Sequence, residues 1–309
     1  MPEQRTWTVR AILDWTRGYL ERRGDEHPRL SAEWLLSDAT GLSRVEIYTS
    51  FDRPLSPDEL SRMHSAIERR AAGEPLQYVT GEMPFRHIVL SCAPGVLIPR
   101  PETEVLVDEC LAFLDAAVAW PAASAPEPPE PACRVLEVGC GTGCVALSIA
   151  SERPGAHVTT TDVSHAAVEL AVRNRDALGL ADAVDVVECD LASGVDESLM
   201  GGFDLLVSNP PYIPTDVLAS QVPAEVRDHE PGLALDGGPD GLDVYRRLLE
   251  LAPRALRPGG AMCVELYEGA LDAARDLALE QGGWADIRIV EDLTHRPRVL
   301  VAVRGAQVA

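Results

Sequence analysis

Asn209-Pro210-Pro211-Tyr212 stands one serine after the run Phe203-Asp204-Leu205-Leu206-Val207. The mostly apolar run reads as a buried strand. Proline has no N–H to give to a strand ladder, so Pro210 and Pro211 end it. A rigid turn would account for a bare Pro-Pro pair. The full tetrad supports a more specific chemistry, directed at a planar NH2 group. In an amide or an exocyclic amine the nitrogen lone pair is delocalised, and the nitrogen is a poor nucleophile. The Asn209 side-chain carbonyl and the Pro210 backbone carbonyl can each accept one of its N–H groups. Two such acceptors draw the nitrogen toward tetrahedral geometry and stabilise positive charge as it develops. The prolines hold the acceptors rigid, and Tyr212 can stack on the planar group.

Three further stretches complete the pattern. Gly139-Cys140-Gly141-Thr142-Gly143 places glycines at every second position, where backbone can approach a ligand and turn tightly into a helix. A dinucleotide fingerprint would put its third glycine at Cys144, so a nicotinamide cofactor is disfavoured. The lysine of a triphosphate-binding loop is absent as well. Asp162 follows about 20 residues later, a spacing suited to accepting both ribose hydroxyls of a nucleoside. Asp190 ends a third apolar run, beside the expected adenine, or it caps a helix. A nucleoside site without a phosphate lysine, next to a tetrad that handles NH2 groups, points to S-adenosylmethionine and methyl transfer to nitrogen.

The elements that must hold these residues alternate strand and helix. Strands are expected at Cys133–Gly139, His157–Asp162, Ala183–Asp190, Phe203–Asn209 and Ala261–Leu266. Helices are expected from Cys144, over His165–Gly179 and over Leu242–Leu256, with a closing hairpin at Ala285–Asp292 and Arg298–Arg304. This is a doubly wound α/β sheet with an antiparallel edge, and ligands bind such sheets beyond the strand carboxyl ends. The first 75 or so residues read instead as a small helical module. Val9, Ile12, Leu13, Thr16, Tyr19 and Leu20 keep helical spacing; a second helix spans Ser31–Thr40 and stops at Gly41. A third starts at Ser56, with Pro57 first and Glu59 closing a capping box, a stripe of Leu60, Met63 and Ile67, and a stop at Gly73. Leu76–Ile98 looks strand-like, a linker or hairpin. Helix resumes from Arg100, and the proline-rich Pro121–Ala132 reads as a solvated loop.

Composition excludes several function classes. The 309 residues are 46% hydrophobic and 25% charged, as in globular proteins. No apolar run approaches the roughly 20 residues of a membrane span, and the N-terminus lacks a signal-peptide layout, so a cytoplasmic protein is expected. Net charge is −22, and all 27 basic residues are arginine. Phosphate backbones need basic surface, so a nucleic-acid partner is disfavoured. The seven cysteines include no Cys-x-x-Cys pair, which argues for reduced buried thiols and against zinc.

Gly73–Phe85 (GEPLQYVTGEMPF), Leu97–Glu104 (LIPRPETE) and His229–Tyr245 (HEPGLALDGGPDGLDVY) resemble signatures of the HemK/PrmC family, which methylates the side-chain amide of a glutamine in peptide chain release factors. The resemblance covers nearly the whole chain. It implies a class I S-adenosylmethionine methyltransferase with a seven-stranded sheet: residues 1–75 a helical substrate-recognition domain, 76–100 a hairpin linker and 101–309 the methyltransferase domain. It implies that Asn209, Pro210, Pro211 and Tyr212 hold the glutamine. Gly139, Cys140, Gly141, Thr142, Gly143, Asp162, Asp190, Leu191 and Asn209 would hold the cofactor. Arg100, Glu102 and Thr103 would lie beside the active site, or form a rigid loop capping a helix. A monomer acting in translation termination is expected.

The chain departs from the family at Glu265-Leu266-Tyr267 and Ala270, and at His87 and His295, where glycine is frequent. Alternatives are the same chemistry on a ribosomal-protein glutamine, a nucleic-acid amino-methyltransferase, or a binding module that has lost catalysis. The net charge of −22 and the lack of a basic target-reading insertion oppose the nucleic-acid reading.

Overall fold

A computed structural model describes residues 6–118 and 131–306. Most of the proline-rich stretch lies outside the described residues. Contacts divide the chain into two compact units, Met1–Glu82 with Pro223–His229, and Met83–Val222 with Glu230–Ala309.

The first unit opens, among the described residues, with α1 (Val9–Arg22), α2 (Pro28–Thr40), α3 (Arg44–Thr49), α4 (Pro57–Ala71) and α5 (Leu76–Thr80). Helix α1 buries Val9, Ile12, Leu13, Thr16 and Leu20, the expected stripe without Tyr19. Helix α2 starts at Pro28 rather than Ser31, because proline is pre-organised for the first helical turn. The expected box opens α4: the Ser56 hydroxyl accepts from the Glu59 N–H at 3.2 Å, and the Glu59 carboxylate accepts from the Ser56 N–H at 2.7 Å. Met63 and Ile67 are buried as expected, together with Ala66, and Leu60 is half-buried against the same core. Helix α3 carries a second box, Ser43 with Glu46, on a helix of six residues that is too short to show a periodic stripe. Leu76–Thr80 is helical where strand was expected; Leu76 and Val79 pack into the core of this unit, and burial overrides their β-propensity.

The second unit begins with the hairpin β1 (Glu82–Phe85) and β2 (Ile88–Ser91), followed by α6 (Thr103–Ala117). The alternation is then β3 (Cys133–Val138), α7 (Cys144–Glu152), β4 (Ala156–Asp162), α8 (His165–Ala177), β5 (Val184–Glu188) and β6 (Phe203–Ser208). Three short helices follow: α9 (Thr215–Ser220), α10 (Ala224–His229), which groups with the first unit, and α11 (Gly232–Leu235). The chain closes with α12 (Asp243–Ala255), β7 (Leu256–Glu265), α13 (Leu271–Gln281), β8 (Trp284–Glu291) and β9 (Pro297–Arg304). Helix α13 was not anticipated.

The seven strands run in the order β5-β4-β3-β6-β7-β9-β8. Strands β3 to β7 pair in parallel, and β9 pairs antiparallel with both β7 and β8. Successive side chains alternate between faces. Val135, Leu205, Val207 and Cys263 enter the core that holds α6 and α7. Leu136, Leu206, Met262 and Val264 enter the core that holds α12 and α13. The direction of winding reverses between β3 and β6. A crevice opens there, beyond the strand carboxyl ends.

Candidate active site

The glycine turn leaves β3 at that crevice. The Gly139 and Cys140 N–H groups both donate to the Thr161 carbonyl, at 2.8 and 2.9 Å, and tie the turn to β4. Gly143 precedes α7 with φ of +84°, and a Cβ there would come within 2.9 Å of Leu147. That close approach explains the third glycine. Asp162 is half-buried; its carboxylate accepts from the Gly141 N–H at 3.0 Å and the Ser164 N–H at 2.9 Å. A carboxylate has about four acceptor sites, so capacity remains for hydroxyl groups in the cleft.

The third turn differs from expectation. Strand β5 ends at Glu188, so Asp190 lies two residues beyond it rather than at its end. Asp190 is exposed and pairs with Arg247 at 2.7 Å. Leu191 has φ of +51°, uncommon for a branched side chain, and the Thr161 hydroxyl holds its carbonyl at 2.6 Å. Backbone held in this way is typical of ligand-facing turns.

One cleft of about 940 Å³, open solvent included, brings these parts together: Gly139 and Gly141, Asp162, Asp190 and Leu191, then Asn209, Pro210 and Pro211. Its walls also include Val96, Val163 and Leu233, which carried no sequence signal. Val163 and Leu233 are 56% and 64% exposed, apolar surface that a bound ligand can cover. A turn open to backbone approach, a carboxylate and apolar walls suit a nucleoside. Cys140 and Thr142 do not line the cleft; each is 2% exposed. Burial pushes the Cys140 thiol up, and Cys140 packs with Ala167, Leu170 and Ala171.

The acceptor pair stands at the edge of the same cleft. The Asn209 amide nitrogen donates to the Thr103 hydroxyl oxygen at 3.0 Å, although the two residues are 106 positions apart. Its amide oxygen is thereby left outward. Among the described residues, neither that oxygen nor the Pro210 carbonyl accepts a hydrogen bond. The backbone that follows is pinned from behind. The Ile213 N–H donates to the Leu235 carbonyl and the Gly237 N–H donates to Ile213, both at 2.9 Å. A Cβ on Gly241 would come within 2.3 Å of the Tyr212 carbonyl, so only glycine fits there. This is the physical content of Asp236-Gly237-Gly238-Pro239-Asp240-Gly241.

The second-tier residues separate. Thr103 is 1% exposed and reaches the site through Asn209. Arg100 is ion-paired with Glu230, whose side chain is 1% exposed and also accepts the Ile98 N–H at 3.1 Å. Glu102 is exposed and stands at the N-cap position of α6 without a side-chain capping bond. Glu265, at the end of β7, belongs to the stretch in which the chain departs from the family. It is 1% exposed and accepts from the Tyr212 hydroxyl at 3.0 Å. Burial pushes its carboxyl up to about 7, against the opposing pull of the Thr103 and Tyr212 hydroxyls. Beneath the glycine turn, burial pushes Glu137 up to about 8. Among the described residues, no group of three or more His, Cys, Asp or Glu could hold a metal ion, and no helix is long and apolar enough to cross a membrane.

Two family models match the chain: PrmC N-terminal domain over residues 11–81 and Methyltransferase small domain over residues 125–226. A protein of Geobacter sulfurreducens called release factor glutamine methyltransferase is 42% identical over 95% of this chain and 96% of its own length. This chain belongs to the release factor glutamine methyltransferase family. Its Moorella thermoacetica member is 40% identical, with 96% of this chain and 99% of that protein covered. Among solved structures, the hMettl16 catalytic domain in complex with MAT2A 3′UTR hairpin 6 aligns with a TM-score of 0.54 at 15% identity, over 81% of this chain and 83% of that one. That likeness is one of fold, and the fold is the class I methyltransferase sheet.

Two departures from the family take physical form. His295 adopts φ of +61° in the turn between β8 and β9, the conformation glycine serves at no steric cost. In the first hairpin the left-handed residue is Arg86, at φ of +51°, and not His87. Arg86 is held there by Glu152 at 2.6 Å and Asp108 at 2.7 Å.

Proposed function

We propose that this protein methylates the side-chain amide nitrogen, N5, of a glutamine in peptide chain release factors. The observation that carries this reading is the pair of unengaged acceptors, the Asn209 amide oxygen and the Pro210 carbonyl, at the edge of the cleft that Gly139, Gly141 and Asp162 line. Bound S-adenosylmethionine supplies an electrophilic methyl group. Gly139, Gly141, Asp162 and the Asp190–Leu191 turn bind and orient the donor. Asn209 and Pro210 accept the two N–H groups of the glutamine amide. They weaken the conjugation of its lone pair and turn that lone pair toward the donor. Both acceptors are already fixed, so little reorganisation is spent as charge develops on nitrogen. Pro211 and Tyr212 wall the amide. The nitrogen sheds its extra proton after the methyl has arrived, so no base is required beforehand.

A lone glutamine side chain offers too little contact to select one protein. We assign that selection to the helical module, residues 1 to about 75. Translation termination in the cytoplasm is then the setting, and a monomer suffices. The test is methyl transfer from labelled S-adenosylmethionine to purified release factor. Label in the release factor, lost when its acceptor glutamine becomes alanine, is expected. A release factor that stays unlabelled while a ribosomal protein from the same cells takes label would overturn the substrate assignment.

A further inference from the structure

Two walls of the cleft have little local structure of their own. One is the stretch of Gly95, Val96 and Leu97, in the connection between β2 and α6 and outside any helix or strand. The other carries Pro231, Leu233 and Ala234, on and just before α11. Helix α11 is four residues long, and so short a helix does not hold its own shape in water. Contacts from elsewhere in the fold must fix both walls.

The far end of α11 is fixed by backbone, where the Leu235 carbonyl accepts the Ile213 N–H at 2.9 Å. Its near end is fixed by a side chain. Glu230 immediately precedes Pro231, and its carboxylate, 1% exposed, reaches the chain just beyond the other wall. Oε2 accepts the Ile98 N–H at 3.1 Å, and Oε1 accepts from the Arg100 guanidinium. Ile98 is 2% exposed, so its N–H must find an acceptor inside the protein. An ionised carboxylate serves both donors at once, and bonds to a charged acceptor are the strong ones. Removing Arg100 would leave that buried charge with one partner, a costly state. The three groups therefore hold one another, and two walls far apart in sequence meet at a single carboxylate.

We propose that Glu230 is a positioning residue for cofactor binding, which with Arg100 clamps the wall of Gly95 to Leu97 to the wall of Pro231 to Ala234 and so fixes the shape of the cleft. Arg100 then serves the cofactor side of the site and not the glutamine. The inference rests on S-adenosylmethionine as the ligand of this cleft, and its test reads that binding directly.

The test is calorimetry with S-adenosylmethionine and amide hydrogen exchange, both on the full chain. Glu230→Gln keeps the shape, but whichever way its amide turns, one of the two donors meets an NH2. An apparent Kd is the intrinsic one divided by the fraction of molecules with the site assembled. Walls in place in one molecule of ten therefore raise Kd about 10-fold. A rise of that order is expected, with faster exchange in peptides covering residues 95–98 and 231–236. Arg100→Gln should raise Kd by a similar factor, and the double variant should not multiply the two losses, because both break the same pair. In methyl-transfer assays the loss should fall on KM for S-adenosylmethionine; an Arg100 that held the glutamine would instead act on kcat/KM for release factor at saturating cofactor. If Glu230→Gln misfolds, Arg100→Gln carries the test, since it keeps the bond to Ile98. Wild-type affinity in either folded variant overturns the proposal, as does weaker binding with unchanged exchange in both stretches, or two losses that multiply. A wild-type protein that binds no S-adenosylmethionine overturns the cofactor reading itself, and the proposal with it.

Discussion

Raising the pH forces two buried carboxyls to ionise. Glu137 and Glu265 are each 1% exposed. Burial pushes them up to about 8 and about 7, from an ordinary 4.5. The unfolded chain therefore ionises first, while the folded protein keeps its protons. The stability these groups contribute is fully present below about pH 4.5 and is lost as pH rises through the folded values, which is the sign for a raised group. For Glu137 the interval from 4.5 to about 8, at about 1.36 kcal/mol per pH unit, comes to on the order of 5 kcal/mol. Glu265, with its shorter interval to about 7, comes to on the order of 3 kcal/mol. Both are upper figures. Glu137→Gln removes one titration; an amide can accept from the Ala146 N–H and donate to the Thr160 hydroxyl. Urea unfolding of the two proteins from about pH 5 to about pH 9 reads the effect, and the difference cancels every other titrating group. The variant should gain several kcal/mol on wild type across that range, with the gain levelling off above about pH 8. A difference that stays flat would refute the claim that Glu137 is protonated in the folded protein at neutral pH.

Asp162→Asn should weaken S-adenosylmethionine binding by roughly 10- to 100-fold in calorimetry, the scale of one or two lost charge-assisted hydrogen bonds; unchanged affinity would remove Asp162 from the ribose. His295→Val should cost about 1–2 kcal/mol in urea unfolding because a β-branched residue resists the left-handed region, while His295→Gly should be neutral or stabilising. A chain beginning at Met83 should still bind S-adenosylmethionine but lose most of its preference in kcat/KM for intact release factor over a short glutamine peptide. Retained preference would separate substrate selection from the helical module.

The elements that were legible in the sequence are those whose local chemistry agrees with their packing. Cys144–Glu152 is helical over its whole expected length because a glycine turn precedes it and its apolar face is continuous. The strand ending at Ser208 was bounded by prolines that cannot pair. Leu76–Thr80 was misread because five residues carry no period, and the core around Leu76 and Val79 decides their conformation. Helix α13 buries Leu271, Ala274 and Ala278, a stripe too small to stand out. In the site, polar residues that line the cleft were visible from their types, as with Asp162 and Asn209. Residues that hold those residues were not: Glu265 lies 53 positions from Tyr212, and Thr103 lies 106 from Asn209, separations no local pattern encodes. A buried carboxylate at a strand end looks, as a letter, like any surface glutamate.

The central claim is that Asn209 acts on the charge that develops at the acceptor nitrogen, and single-turnover methyl transfer by Asn209→Ala tests it most directly. Removing one fixed group of this kind costs about 3–4 kcal/mol, or roughly 10²–10³ in rate. The account predicts that loss in the rate of methyl transfer to release factor at saturating S-adenosylmethionine, with the unfolding midpoint close to wild type. A rate per folded molecule near wild type, with a lowered midpoint, would mean that Asn209 only shapes the turn, and the account would be wrong.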